Sequence, residues 1–270
     1  MKEMSLSKKE VAVVIPVYQT TLSETEVLSL GQCVKILSDY DIIFVKPEHL
    51  DTGPLRQQYP SILEEKFPDE WFVSRRSYNR MVLEESFYRR FEKYEYILIY
   101  QLDAFVFRDE LLDWARKGYD YIGAPWLPWK KRYLSTTGRL YFHIKAWYKR
   151  HFRPRAYRSA KYHAYEVGNG GLSLRRVSSM IATTSHYRNK IRDLLAEEKE
   201  FYAEDVFLLR ELNDRRVRLK KPAWTEAIAF SIEEAPEWAY RYNRCRLPFG
   251  CHAFNLPEFA DFWRPFIHSN

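Results

Sequence analysis

Two short apolar runs near the N-terminus constrain the fold more than any other feature of the sequence. Val11 to Tyr18 (VAVVIPVY) indicates a buried strand ended by a proline turn, and residues 41–47 (DIIFVKP) indicate a second strand. Between them, SETEVLSLGQCVKILSDY has apolar residues at helical spacing and acidic residues in its first turn. A strand, a helix and a strand at this spacing predict a βαβ unit, and therefore a parallel sheet.

The alternation of strands and helices continues along the chain. YILIYQLD predicts a further strand, and YDYIGAPW predicts a strand that runs into a loop. Four segments have helical patterns: YNRMVLEESFYRRFEKY, DELLDWARKG, LRRVSSMIATTSHYRNKIRDLLAEEK and AEDVFLLRELNDR. The last fifty residues contain several prolines and are expected to be irregular. No repeat or linker is evident. We therefore predict one α/β domain over residues 1–270, with a mostly parallel sheet flanked by helices.

The positive charge of the chain is concentrated in one segment. The formal net charge is +7, yet Tyr121 to Tyr165 holds eleven Lys or Arg and no acidic residue. Residues 129–166 are accordingly predicted to form a basic insertion in which cations alternate with aromatic side chains. This combination fits an anionic membrane surface, an acceptor carried on a lipid diphosphate, or single-stranded nucleic acid. A solvated loop and a dimer contact are the structural alternatives.

Cysteine content and hydropathy bear on the compartment. Three cysteines, Cys33, Cys245 and Cys251, are too few for a disulfide framework and suit a reducing compartment. The first ten residues are polar, and no apolar run approaches the roughly 18 to 20 residues of a membrane span. We expect a cytoplasmic protein that is at most peripheral on the inner face of the cytoplasmic membrane.

Four motifs fall where an open α/β sheet binds ligands, beyond the carboxyl ends of its strands. Asp103 follows an apolar strand, where an unpaired carboxylate is costly. The turn VGNGGLSLR (residues 167–175) lets backbone approach a ligand, and we expect it to open a helix whose N-terminus receives an anion. Glu204 and Asp205 begin another helix, and His252 lies in the loop LPFGCHAFN. Singly, each has an ordinary structural explanation as a cap, a turn, a helix-dipole partner or a solvated histidine.

Two other kinds of site are disfavoured. GNGG lacks the GxGxxG and GxxxxGK[ST] patterns of dinucleotide and P-loop sites. Cys245, Cys251 and His252 have no fourth ligand at the usual spacing of a zinc site.

In this order, the four motifs resemble those of the GT-A glycosyltransferases. The match is closest to an uncharacterised family of GT-A-like sugar transferases in which QLDAFVF, YDYIGAPW, GNGGLSLR, EDVF and PFGCHAF recur as blocks. It covers roughly Val11 to Asn255, apart from the interior of the basic insertion. The resemblance implies a GT-A-like, Rossmann-like fold. It also implies transfer of a sugar from a nucleotide-sugar, with UDP preferred, to a glycan or lipid-diphosphate-linked acceptor in polysaccharide or glycoconjugate biosynthesis.

The resemblance further implies residue roles. Asp103 matches the last carboxylate of the DxD metal motif, and Gln101 stands where its first aspartate belongs. With His252, Asp103 would hold Mn²⁺ or Mg²⁺, ions suited to oxygen and nitrogen ligands. Asp205 matches the catalytic base of inverting members, and Glu204 is the alternative. The implied donor contacts are Pro16, Val17, Tyr18, Gln101, Leu102 and Asp103. Tyr78, Asn79 and Arg80 are further candidates for contact with the base or the diphosphate, and a helix cap with a surface arginine is the structural alternative. The implied sugar or acceptor contacts are Trp126, Asn169, Gly170 and Gly171.

Two further functions stay open at this point. A nucleic-acid-binding module would use residues 129–166, but it would leave the four motifs without a role, and no RNP, KH or helix-turn-helix pattern is present. A nucleotidyltransferase of the same shape would need a phosphate loop rich in Gly and Lys after the first strand. IPVYQTTLSE supplies neither.

Overall fold

The structure is a computed structural model that describes residues 5–128, 130–153, 164–196, 203–211 and 218–267. The strands are β1 Val11–Pro16, β2 Asp41–Pro47, β3 Leu63–Phe67, β4 Tyr96–Tyr100, β5 Phe105–Val106, β6 Tyr121–Ile122, β7 Leu172–Arg176, β8 Ser231–Ile232 and β9 Gly250–Cys251. The helices before the strand β7 are α1 Glu24–Leu37, α2 Gly53–Gln58, α3 Arg75–Met81, α4 Glu85–Arg89, α5 Leu111–Arg116 and α6 Thr136–Phe152. Those after it are α7 Val177–His186, α8 Arg188–Ala196, α9 Glu204–Val206, α10 Trp224–Phe230, α11 Pro236–Tyr242 and α12 Pro257–Ile267.

The main sheet has six strands in the order β3-β2-β1-β4-β7-β6. The first four are parallel, whereas β7 runs antiparallel to both β4 and β6. A second, three-stranded sheet has the order β5-β9-β8. The predicted βαβ unit and the mostly parallel α/β sheet are therefore confirmed.

Helices cover both faces of the main sheet, which explains why β1 and β4 are apolar throughout. Val11, Val13 and Ile15 of β1 pack into a core with residues of α1 and α5, whereas Ala12 and Val14 pack into another with residues of α3, α4, α7 and α8. Successive residues of a strand point to opposite faces, so a strand covered on both faces is apolar at every position unless its buried polar groups have hydrogen-bond partners. The burial of β1 and β4 thus follows directly from their sequences.

The prediction that GNGG opens a helix is wrong. The segment after it is β7, and α7 begins only at Val177. Leu172 and Leu174 of β7 enter the core, while Ser173 and Arg175 are buried on the other face, where they make hydrogen bonds. Because Arg175 is a charged residue that is buried with hydrogen-bond partners, the pattern of β7 in the sequence resembled the polar start of a helix.

Two other expectations need correction. The single helix expected over residues 78–94 is two short helices, α3 and α4, separated by a turn. The C-terminal region contains the three helices α10, α11 and α12: Pro236 and Pro257 occupy the first positions of α11 and α12, and Pro265 lies inside α12 without ending it. The missing N–H of proline costs nothing at that position.

Most of the described part of the basic insertion is α6. Ser135 caps this helix by accepting a hydrogen bond from Gly138 N at 3.1 Å. Phe142, its one buried residue, stacks edge-on against Tyr165, with 5.8 Å between ring centroids. Residues 154–163 of the insertion lie outside the described ranges. In the part of the chain that the structure describes, no helix is long and apolar enough to cross a membrane.

Helix α1 fixes the loop between β4 and β5, which carries Asp103. Ser29 Oγ and Tyr100 Oη donate to the carbonyl of Ala104 at 2.6 and 2.9 Å, and Gln32 Nε2 donates to the carbonyl of Val106 at 2.9 Å. All of these groups are buried. Buried hydrogen bonds therefore hold the backbone that follows Asp103.

We expect Tyr100→Phe to lower the free energy of unfolding by about 1 to 2 kcal/mol, because it deletes a buried hydroxyl that holds this loop. Tyr96→Phe is the matched control: Tyr96 lies on the same strand and is equally buried, but its hydroxyl has no hydrogen-bond partner among the described residues. Urea denaturation of the two variants measures the difference. Equal losses would contradict the role of the Tyr100 hydroxyl.

Candidate functional site

The candidate site lies at the edge of the main sheet where the parallel strands end. Because β7 is antiparallel to β4, the GNGG turn before β7 meets the end of β4, and Gln101 N donates to Gly171 O at 2.8 Å. In the small sheet, Phe105 pairs with Cys251, which brings the residues just before β5 next to those just after β9. Motifs far apart in the sequence therefore converge at this edge.

His252 lies at the centre of the site and contacts two carboxylates. Its Nε2 is 3.1 Å from Oδ1 of Asp103, and its Nδ1 is 3.2 Å from Oε1 of Glu233. Its Nε2 is also 3.4 Å from Oε1 of Gln101. The His252 side chain is 13% exposed and that of Asp103 is 36% exposed, so the pair is reachable from solvent on the Asp103 side.

The electrostatics of this pair favour the charged forms. Burial alone would lower the pKa of His252, but the charges of Glu233 and Asp103 outweigh it and raise the pKa to about 10. Burial would likewise raise the pKa of Asp103, but the positive charge of His252 holds it below the usual range. His252 is therefore an imidazolium between carboxylates when no cation is bound.

Asp103 and His252 fit a divalent metal ion. Oδ1 of Asp103 is buried and faces Nε2 of His252, so a cation bound between the two atoms would take the place of the proton on that nitrogen. An octahedral ion with bonds of about 2.1 Å holds adjacent ligand atoms about 3 Å apart, close to the 3.1 Å between Oδ1 and Nε2. Within the described ranges, no group of three or more His, Cys, Asp and Glu side chains is placed to hold an ion.

The amide of Asn169 organises the GNGG turn. Asn169 has a left-handed backbone, with φ of 69°, a conformation that asparagine tolerates better than most residues. Its Oδ1 accepts from Gly171 N at 2.8 Å, and its Nδ2 donates to Glu233 and lies 3.2 Å from Nδ1 of His252. One side chain therefore shapes the turn and contacts two members of the site.

Two positions of the turn must be glycine because other side chains pack closely against their Cα atoms. A Cβ on Gly171 would lie 1.8 Å from Nε2 of His252. A Cβ on Gly168 would lie 1.9 Å from the indole of Trp126. Because real Cβ atoms never come so close to other heavy atoms, glycine is the residue that allows His252 and Trp126 to pack on the turn.

Glu204 and Asp205 are both buried beneath the turn. Oδ2 of Asp205 accepts from Asn169 N at 2.8 Å, and Oδ1 accepts from Val206 N at 2.7 Å. Burial first, and then the charges of Glu204 and Glu233, raise the pKa of Asp205 to about 7. Such a carboxylate can exchange a proton near neutral pH.

Glu204 pairs with a residue that the sequence analysis missed. Arg175 is completely buried, and its guanidinium donates to Glu204, Tyr88 and Ser173 at 2.9, 2.9 and 3.0 Å. Breaking a buried pair of this kind typically costs about 3 to 5 kcal/mol. Glu204 is therefore committed to an ion pair, whereas the oxygens of Asp205 contact only backbone N–H groups among the described residues.

Glu233 was also missed. It follows β8 directly, and the parallel pairing of β8 with β9 places it beside His252. Its only signal in the sequence is a carboxylate after the short run AFSI, which is not distinctive.

The implied donor contacts are only partly brought together. Pro16 ends β1, Val17 is buried, with its N–H donating to Val45 O at 2.8 Å, and Tyr18 is exposed. Leu102 and Asn79 are buried. Arg80 is placed differently: it pairs with Glu84 at 3.5 Å and lines a cavity of about 440 Å³ between α3, α7 and α8.

Two other residues on α3 interact with the residues around Asp103 and His252. The charge of Arg75 helps to hold down the pKa of Asp103, and Tyr78 interacts with Gln101 and Glu204. Arg75 was not anticipated from the sequence. Its positive charge acts on the Asp103 carboxylate.

The sugar contacts implied by the resemblance cluster around the GNGG turn. Trp126 is partly exposed and lies over Gly168, while Gly170 lies against Glu204. Backbone hydrogen bonds between the segments of Trp126 and Tyr165, including Tyr165 N to Trp126 O at 2.7 Å, fix the indole beside the turn.

Comparison with known families gives one match. The family described as "Protein of unknown function (DUF5672)" matches residues 61–252, which span Asp103, the GNGG turn, Asp205 and His252. The sequence comparison with curated proteins gives no match.

Solved structures show the fold. Core-mannan synthase A (CmsA/Ktr4) from Aspergillus fumigatus, in an Mn/GDP form, aligns with a TM-score of 0.52 at 10% identity over 78% of this chain and 71% of that chain. The mannosyltransferase Ktr4p from S. cerevisiae aligns with a TM-score of 0.50 at 12% identity over 82% and 68%. The bifunctional glycosyltransferase WbbM aligns with a TM-score of 0.52 at 12% identity over 92% of this chain but 46% of that chain. The predicted GT-A-like fold is confirmed by these similarities.

We expect Gly171→Ala to lower the free energy of unfolding by about 1 to 3 kcal/mol, because the new methyl group overpacks the contact with His252. Gly31→Ala in α1 is the control. A Cβ there would lie 3.6 Å from Tyr59 Oη, which is an ordinary contact. Replacing Gly by Ala in a helix interior raises the free energy of unfolding by about 1 kcal/mol. Chemical denaturation measures both, and wild-type stability in Gly171→Ala would contradict the packing.

The raised pKa of Asp205 predicts a pH dependence of stability. An unfolded aspartate titrates near about 3.9, whereas folded Asp205 titrates at about 7. The protonated carboxyl therefore stabilises the fold fully below about pH 4, and this contribution is lost as the pH rises through about 7. Asp205→Asn should remove this slope, as measured by urea denaturation across that range. Asp113→Asn, at a side chain 73% exposed, is the control; parallel curves for wild type and Asp205→Asn would contradict the assignment.

Proposed function

The chain belongs to the DUF5672 family, and we propose that it is a metal-dependent glycosyltransferase that moves a sugar from a nucleotide-sugar to a hydroxyl group. UDP is the nucleotide we propose, and the acceptor is a glycan or a lipid-linked precursor in polysaccharide or glycoconjugate biosynthesis. The observation that carries the proposal is the Asp103–His252 pair, held 3.1 Å apart at the edge of a GT-A-like sheet.

On the donor side, Asp103 and His252 would hold Mn²⁺ or Mg²⁺. When bound, the cation neutralises charge on the diphosphate as it leaves. Gln101 stays neutral beside this pair, so Asp103 is the carboxylate of the motif that can ligate. Arg75, whose charge acts on Asp103, would add positive charge near the diphosphate, and exposed Tyr18 would offer a ring at the end of β1 for the nucleotide base.

On the acceptor side, Asp205 would take the proton from the attacking hydroxyl. The new bond joins the acceptor oxygen to the anomeric carbon, the bond from that carbon to the diphosphate oxygen breaks, and the proton goes to the Asp205 carboxylate. A base with a pKa near the working pH is the most effective kind, which the value of about 7 supports. A single displacement of this type inverts the anomeric configuration.

Trp126 and the turn shaped by Asn169 would bind sugar. The partly exposed indole of Trp126 offers an apolar face to a sugar ring, and the glycines beside it let backbone lie close to the sugar. The amide of Asn169 is buried and bonded to the turn and to Glu233, so its part in sugar binding would be to keep the backbone of the turn in a fixed position.

Thermal unfolding in the presence of Mn²⁺ with each of UDP, GDP, CMP and ADP tests the donor site. Binding to the native state adds about 2.7 kcal/mol at about a hundred times the dissociation constant. We expect a rise in melting temperature with one nucleotide, abolished by EDTA and by Asp103→Ala. Asp113→Ala, at an exposed aspartate, should respond as the wild type does.

The same assay includes short single-stranded RNA. A rise with RNA alone, with none for any nucleotide and no effect of Asp103→Ala, would exclude the transferase and favour a nucleic-acid-binding module.

A further inference from the structure

Helix α6 exposes an apolar and aromatic stripe to solvent. Six of its large hydrophobic side chains are 46–63% exposed: Leu140, Tyr141, Ile144, Trp147, Tyr148 and Phe152. Their spacing of three and four residues places them along one side of the helix. Six more exposed large hydrophobic residues are spread over the rest of the described chain, so α6 alone concentrates half of them.

The stripe is a preformed surface rather than a set of loose side chains. The rings of Trp147 and Phe152 lie 6.1 Å apart between centroids, and those of Tyr148 and Phe152 lie 5.1 Å apart. The helix is attached through other residues: Phe142 is buried against Tyr165, and Arg139 lies 5.5 Å from the ring centroid of Trp224. The fold therefore holds α6 by one side and presents the stripe on the other.

The charge around the stripe has one sign. Within α6, Arg139, Lys145, Lys149 and Arg150 are basic and no residue is acidic. The surrounding segment from Tyr121 to Tyr165 holds eleven Lys or Arg without one acidic residue. Trp and Tyr are the side chains that settle at the boundary between lipid headgroups and hydrocarbon, and flanking cations bind anionic headgroups.

We infer that α6 is a docking helix for an anionic lipid surface, lying in the plane of the headgroups with its stripe inserted and its cations on the phosphates. This inference does not depend on the reaction proposed for the site. It gives the basic insertion a role in bringing the protein to a membrane.

The charges argue against the other occupants. A second copy of the chain packed on this stripe about a two-fold axis would bring two basic segments together without an acidic partner. Single-stranded nucleic acid would match the charge, but Leu140 and Ile144 are aliphatic and offer no ring on which a base can stack. A lipid surface satisfies both the charge and the aliphatic side chains.

Co-sedimentation of the full chain with vesicles tests the inference. We expect binding to vesicles of phosphatidylcholine mixed with phosphatidylglycerol, weaker binding at high salt, and little binding to phosphatidylcholine alone. Lys145→Ala and Lys149→Ala should each weaken binding about fivefold, and Trp147→Ala about tenfold. Ile144→Asp, in the middle of the stripe, should abolish it.

The control is Val73→Asp, because Val73 is 77% exposed and lies outside α6. Both aspartate variants should keep the wild-type melting temperature, since both sites face solvent. If Ile144→Asp does not fold, vesicle binding by Trp147→Ala and by the lysine variants tests the inference instead. Wild-type binding by the α6 variants, or equal binding to both vesicle types, would overturn the inference. So would RNA binding or dimer formation that the α6 variants abolish while the vesicles stay unbound. Nucleotide-induced stabilisation, measured separately, reports on the active site independently of vesicle binding.

Discussion

The whole site depends on the way that Asn169 satisfies the turn between β6 and β7. Its side chain accepts from the turn, donates to Glu233 and meets His252, while its backbone N–H is held by Asp205 and its carbonyl accepts from Tyr121 Oη at 2.5 Å. Because every polar group of this residue is used, the turn has one conformation. Motifs from four parts of the chain are thereby held in fixed relative positions.

Buried charge is what makes this arrangement costly and specific. Arg175 is fully buried, and Glu204, Tyr88 and Ser173 supply its hydrogen bonds. The desolvation of such a pair roughly cancels its attraction, so we attribute to it the positioning of α9 under the turn rather than net stability. With Glu204 engaged in this pair, Asp205 is the carboxylate whose raised pKa suits proton transfer.

The molecule separates two kinds of surface. The site at the sheet edge gathers carboxylates, an imidazole and small residues, whereas α6 gathers cations and rings. Tyr165 connects them, since it packs on Phe142 of α6 and its N–H donates to Trp126, which lies on the turn. The proposed chemistry and the proposed membrane contact therefore rest on separate residues and can be altered one at a time.

The sequence by itself determined the fold class, the βαβ start and the motifs. Apolar runs such as VAVVI predict a strand buried on both faces, and residues such as Asp103 and His252 stand out in loops. Only the tertiary structure decided that GNGG leads into a strand, that Glu233 and Arg75 join the site, and that Arg80 lines a different cavity. The physical reason is that local patterns report burial and periodicity, whereas the partner of a buried polar group comes from a distant segment. From the sequence, Arg175 would be expected on the surface. Only the tertiary structure shows that it is buried against Glu204, 29 positions away.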